Sequence, residues 1–187
     1  MPKYINRCKV ITGPDTRWSY ANVWEPRSFQ GGKPKYSVCL IIPKTDTDTI
    51  GKIREAVRAA YEEGQYRLTG RDGSLPALKD LKLPIRDGDT DRTGDPAYAG
   101  CLYINANTAR APGIVDADCR PILDHSQVYS GVYGRASITM YAYNAGGNRG
   151  IACSLNNLQK IRDGEPLGTR IPAEADFQFD GDEDFLA

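Results

Sequence analysis

The chain has 187 residues with 24 Lys+Arg, 24 Asp+Glu and 40% hydrophobic residues, enough for one ordinary domain and a short extension. No apolar run approaches the roughly 20 residues of a membrane-spanning helix, and the N-terminal MPKYINRCKV lacks an apolar leader stretch. The charge is unevenly placed: residues 172–187 (PAEADFQFDGDEDFLA) hold six acids and no base, leaving 24 bases against 18 acids in residues 1–171.

In chain order, RCKVIT at 7–12 alternates and predicts a strand. WSYANVW at 18–24 alternates too, with Trp18, Tyr20, Asn22 and Trp24 on one face. KYSVCLII at 35–42 reads as a more buried strand ended by Pro43. One helix follows. Thr45 or Asp46 caps it, Ile50, Ile53, Val57, Ala60 and Tyr61 recur at helical spacing, and Gly64 ends it. Its polar face carries Lys52, Arg54, Glu55, Arg58 and Glu62, an ordinary solvated face, so the helix is expected to plug or cover one end of a sheet. Residues 65–100 read as loop, 101–106 (CLYINA) as a strand, and 107–127 as irregular with breakers at Pro112 and Pro121. The longest alternation is Val132–Asn144. Val132, Gly134, Ala136, Ile138, Met140 and Ala142 form its core phase. AGGNRG at 145–150 is a tight turn, and IACSL at 151–155 returns as a hairpin. Eleven Tyr, 19 Gly and 12 Pro suit a strand-and-turn protein.

The aromatics fall on the polar phase of these strands. Tyr133, Tyr141 and Tyr143 lie opposite the aliphatic face of 132–144, Tyr103 opposite Leu102, Ile104 and Ala106, and Trp18, Tyr20 and Trp24 share a phase. Such a face suits an unpaired nucleic-acid strand, because a base stacked on a ring gains roughly 1–3 kcal/mol whatever its sequence. Arg17, Lys33, Lys35, Arg110, Arg135 and Arg149 are the candidate phosphate partners. Lys33 and Arg149 sit on the Gly-rich tips GGK and GGNRG.

Catalytic and metal motifs are tested against the same residues. DGDTD at 87–91 departs from a calcium loop, because Gly88 comes too early and Tyr98 stands where the bidentate Glu belongs. GxxxxGK[ST] and GxSxG are absent. Five scattered cysteines without CxxC argue against a zinc site and for reduced thiols in a cytosol-like compartment. His125, the only histidine, adjoins Asp124 and Ser126, and neighbours on an extended segment point apart. The expectation is a non-enzyme with no cofactor and no metal. Two alternatives stand beside it. One is a Mg²⁺-dependent nuclease built on the acids of 87–95 with Asp116 and Asp118. The other is a structural protein, which would form large assemblies without DNA affinity.

WSYANVWEP (18–26), KYSVCLIIPKTDTDTI (35–50), VYSGVYGRASITMYAYN (128–144) and GIACSLNNLQKIRDGEPLG (150–168) resemble, in order, blocks of the phage single-stranded-DNA-binding family related to the protein of an Enterobacter phage. The resemblance implies an OB-fold, sequence-independent binding of single-stranded DNA, and a role in phage replication or recombination in the host cytoplasm. The expected architecture is mainly β, an OB-like five-stranded barrel with one main helix and long loops over residues 1–171, then a disordered acidic tail over 172–187. That tail is similar to the acidic, Phe-containing tips of single-strand binders. Asp182, Glu183, Asp184 and Phe185, with Asp180 ahead of them, are its expected partner-binding residues. The resemblance implies that it recruits phage or host replication proteins and masks the DNA groove. No membrane partner is expected, and a homo-oligomer or cooperative array on DNA is left open.

Overall fold

The computed structural model describes residues 5–168. Residues 169–171 and the acidic segment 172–187, with Asp180, Asp182, Glu183, Asp184 and Phe185, lie outside the described residues. The elements are β1 (Lys9–Ile11), β2 (Arg17–Arg27), β3 (Lys35–Pro43), α1 (Thr47–Glu63), α2 (Gln65–Leu68), β4 (Ile85–Asp87), α3 (Gly88–Asp91), β5 (Cys101–Thr108), β6 (Gly113–Val115), β7 (Tyr133–Ala145) and β8 (Asn148–Arg162). The long 65–100 segment, expected to be loop, thus carries two single-turn helices and a short strand.

Five strands close on themselves. β2 pairs with β3, β3 with β5, β5 with β8, β8 with β7, and β7 with β2. Within this ring only the β5–β8 contact is parallel. Two seams are thin: Asn107 opposite Ser154 is the sole register pair of β5–β8, and Arg17 opposite Tyr133 that of β2–β7. A ring of five strands, partly open at its seams, is the OB-like architecture. β1, β4 and β6 extend the sheet from β7, β5 and β8.

The expected phases set the core. Gly134, Ala136, Ile138, Met140 and Ala142 of β7 face inward. Val38–Ile42 of β3 are buried on both sides of the sheet. α1 begins where the sequence places it: the Asp46 carboxylate accepts from the Thr49 amide at 3.2 Å, and Gly64 closes the last turn. Its apolar stripe, Ile50, Ile53, Val57 and Ala60, is buried and packs on β7 and β1.

β2 departs from simple alternation. Trp18 pairs with Leu40 and Ser19 with Cys39, but the next register pair is Asn22 with Ser37. A bulge lies between them, at Tyr20, whose φ is +46°. The phase inverts across it. Trp18 therefore points inward, 0% exposed, and its Nε1 donates to the Gly134 carbonyl at 3.1 Å. A Cβ at Gly134 would collide with the Gln159 carbonyl and the Trp18 indole. Trp18 is thus a core residue and not the surface ring that an uninterrupted strand predicts.

Replacing Trp18 with Ala empties the largest fully buried side chain and should cost about 3–5 kcal/mol. Denaturant unfolding measures it; a loss under about 1 kcal/mol would contradict the core assignment.

Candidate nucleic-acid interface

The outer face of β2, β3 and β5 is assembled by register. Ile41 lies beside Tyr103, Cys39 beside Asn105, and Ser37 beside Asn107. Beyond the bulge, β2 adds Tyr20 and Asn22. A second layer seals one half of this face. Tyr98, from the loop after α3, sets its hydroxyl 3.6 Å from the Cys39 thiol. Its ring meets Tyr103 edge-on at 5.4 Å. The Tyr103 hydroxyl donates to Asp91 at 3.0 Å. Tyr103 is 3% exposed, so the expectation of an outward ring at this position is corrected: its side of β5 is the polar phase of the strand, but α3 and its loop cover it.

The other half stays open as a groove of about 750 Å³. Ser37, Asn105 and Asn107 line its floor, and Tyr20, Phe29, Arg27 and Arg92 also line it. Tyr20 is 58% and Phe29 64% exposed. Arg92 holds the boundary between the sealed and open halves. Its guanidinium carbon lies 5.2 Å from the Tyr98 ring, 5.7 Å from Tyr20 and 5.8 Å from Tyr103. Cation–π contact with three rings fixes a charge that would otherwise swing freely. Leu167 and Gly168, the last described residues, also line the groove. They are strapped there: the Leu167 amide donates to Ser130 O at 2.8 Å, and the Tyr129 hydroxyl donates to Gly164 O at 3.0 Å.

The sequence-predicted residues divide among several places. Tyr20 is in the groove. Lys33 and Lys35 are exposed at the β2–β3 turn. Tyr36 pairs with Thr108, so Lys35 and the exposed Arg110 leave the sheet at the same end. Trp24 is half-buried and stacks on His125 at 4.1 Å and 8°, which gives the lone histidine a packing role. Arg17 and Tyr133 serve the strap: the guanidiniums of Arg17 and Arg162 lie 5.2 and 4.1 Å from the Tyr133 ring, and Arg17 donates to the Gly131 and Glu165 carbonyls. Arg135 is exposed and donates to Thr12 O at 3.3 Å. Tyr141 is partly exposed beside Cys8 and α1. Tyr143 and Arg149 line a separate cleft at the β7–β8 hairpin. Sequence reasoning missed Arg27, Phe29 and Arg92. Asn22 and Asn105 share the aromatic phase, which was the available signal for the amide floor. Arg92 carries no such signal, since its acid-rich surroundings read as a turn.

The acids proposed for Mg²⁺ have other work. Lys44 Nζ lies 3.0 Å from Asp87 and 2.7 Å from Asp89, and the Lys44 ammonium holds both carboxyls below the usual range. Asp91 accepts from Tyr103, and Asp116 accepts the amides of Asp118 and Arg120, both at 2.9 Å. Among the described residues no three His, Cys, Asp or Glu side chains converge as a metal site. No helix among them is long and apolar enough to cross a membrane.

A five-stranded ring with an open aromatic and cationic groove defines the class. The chain matches, over residues 8–186, the family described as Enterobacter phage Enc34, ssDNA-binding protein, and it belongs to that family. It is 29% identical over 155 residues to the putative protein p50 of Acyrthosiphon pisum secondary endosymbiont phage 1, covering 81% of this chain and 82% of that one. Its fold is similar to the single-stranded DNA-binding protein of bacteriophage Enc34 in complex with ssDNA, with a TM-score of 0.69, 24% identity, and 89% and 96% of the two chains covered. It is also similar to gp2.5, the single-stranded DNA-binding protein of bacteriophage T7, with a TM-score of 0.62, 16% identity, and 96% and 97% covered.

The buried thiols make a chemical prediction. Burial pushes the Cys39 and Cys153 thiols up, and burial with the Glu63 carboxylate pushes Cys8 up to about 11. At pH 7.5 these thiols are protonated and shielded, so iodoacetamide should label the exposed Cys119 well before them. Peptide mass mapping reads the order. Rapid labelling of Cys39 would mean that Tyr98 does not seal its half of the face.

Proposed function

We propose that this protein binds single-stranded DNA in the groove across β2, β3 and β5, without making or breaking bonds. The observation that carries the reading is the pairing of two exposed rings, Tyr20 and Phe29, with Arg27 and a ring-anchored Arg92 in one open trough. Unpaired bases offer faces for the rings, and phosphates satisfy the guanidiniums. A duplex hides its base faces, so the same trough favours a single strand. Stacking reads no base edges and makes the binding sequence-tolerant. Lys33, Lys35 and Arg110 extend the positive path at one end. Membership of the Enc34 family and likeness in fold to two phage single-stranded DNA-binding proteins support this reading.

The biological setting is phage replication or recombination in the host cytoplasm. Residues 172–187 act as the groove's own polyanion and as a recruiting segment for replication proteins. Support comes from position and charge. Gly168 lines the groove, and the four residues from there to 172 span at most about 14 Å. Asp180, Asp182, Glu183, Asp184 and Phe185 then present carboxylates and a ring to a site built for phosphates and bases.

Substituting Tyr20 and Phe29 together with Ala should weaken oligonucleotide binding at least about tenfold in a fluorescence titration. Arg92→Ala should reduce the slope of log affinity against log salt by about 0.7. A folded double variant that binds like the wild type overturns the assignment. Ending the chain at residue 171 should tighten binding, most at low salt where masking is least screened. Unchanged affinity across salt removes the masking role.

A further inference from the structure

A second cleft, of about 1120 Å³, shares no lining residue with the groove. It is built between the end of α2, the 69–74 loop and the tip of the β7–β8 hairpin. Two ties hold these parts together. Asn144 Nδ2 donates to the Arg67 carbonyl at 3.0 Å, and Arg149 Nη1 donates to the Leu68 carbonyl at 2.8 Å. The hairpin tip turns on Gly146 and Gly147 at φ +60° and +89°, with open space where each Cβ would stand. Another backbone can therefore approach it closely.

The charge in this cleft is one-sided. Arg67, Arg71 and Arg149 line it against a single acid, Asp72. The Ser74 hydroxyl and amide hold the Asp72 carboxyl below its usual range, so it stays ionised and offsets one charge of three. Among the described residues no carboxylate lies within ion-pair distance of these three arginines. Planar guanidiniums match phosphate oxygens in paired hydrogen bonds. Tyr143 adds a half-buried ring. The volume exceeds the roughly 300–1,000 Å³ of a small-molecule pocket, and the cleft is an open trough.

We infer that this cleft takes the phosphodiester backbone of the DNA strand that has already entered the groove, so that one protein covers a longer stretch of strand. The inference rests on the proposed groove function. β8 connects the two places: Asn148 opens it at the hairpin, and Ser154 pairs with Asn107 of the groove floor. Six residues of strand separate them, about 20 Å. A short oligonucleotide fills the groove alone, and a longer one reaches both.

The test compares oligonucleotides of about 5 and about 25 nucleotides, near the lower end of and well beyond the usual site size of about 4–16, with the full chain and Arg67→Glu/Arg71→Glu. Both side chains are exposed and neither makes one of the two ties. The variant should bind the short oligonucleotide like the wild type and the long one at least about tenfold more weakly, with a salt slope shallower by about one unit. Unchanged affinity for the long oligonucleotide overturns the inference, and so does an equal loss on both lengths. Arg149→Lys keeps the charge but loses the planar fork, and a selective loss on the long oligonucleotide is expected there too. The groove variant Tyr20→Ala/Phe29→Ala is read on the short oligonucleotide, so the groove and the cleft fail on different measurements.

Discussion

The bulge at Tyr20 is the constraint from which the rest of the molecule follows. A non-glycine residue at φ +46° is strained, and it sits where the register of β2 on β3 shifts by one residue. Ahead of the bulge, Trp18 turns inward. Its backbone makes the β2–β7 seam: the Trp18 amide donates to Val132 O at 2.9 Å, and the Gly131 amide donates to Trp18 O at 2.7 Å. Past the bulge, Tyr20 and Asn22 turn outward. One inserted residue thus gives a single strand a core duty at its start and a surface duty in its middle. The burial of an indole, about 4–6 kcal/mol at roughly 25 cal/mol per Å², outweighs a local strain of about 1–3 kcal/mol.

The outer face of the ring is then divided by a second structural decision. Tyr103 could have served as a stacking platform. Instead α3 and the loop that carries Tyr98 fold over it, fixed by Lys44 with Asp87 and Asp89 and by Asp91 with Tyr103. The covered half gains a small apolar cluster of Cys39, Ile41, Tyr98 and Tyr103. The open half keeps amides and exposed rings. Arg92 spans the edge, its charge held by the faces of three tyrosines. It is oriented before any ligand arrives, so less freedom is lost when a phosphate binds.

The legibility of the sequence follows from what each signal depends on. α1, β3 and the β7–β8 hairpin are set by local pattern: an Asp cap, a Gly stop, strict alternation and a Gly-Gly turn all point to the same answer. The five-stranded ring agrees with the family resemblance. Trp18 was misplaced because one bulged residue reverses a phase, and nothing in WSYANVW marks the inserted position. Tyr103 was misplaced because α3 and the loop at 92–100, just ahead of its strand, fold back over it, and alternation cannot report a second layer. Arg92 was missed for the same reason, since its meaning comes from rings contributed by β2, β5 and the intervening loop.

Charge counting alone also misjudges which cations can meet a ligand. Arg17 is committed to backbone carbonyls and to Tyr133. Arg135 and Arg149 each give a donor to the chain, but a guanidinium has five, so a single internal bond leaves most of the fork available. A lysine so tied would lose one of three donors on a flexible stem. The arginine therefore builds the wall of a site and still presents its charge there, whereas the exposed Lys33 and Lys35 act as point charges on a turn. Attraction at a distance comes from the sum of these charges, and orientation at contact comes from the few guanidiniums the fold has already fixed.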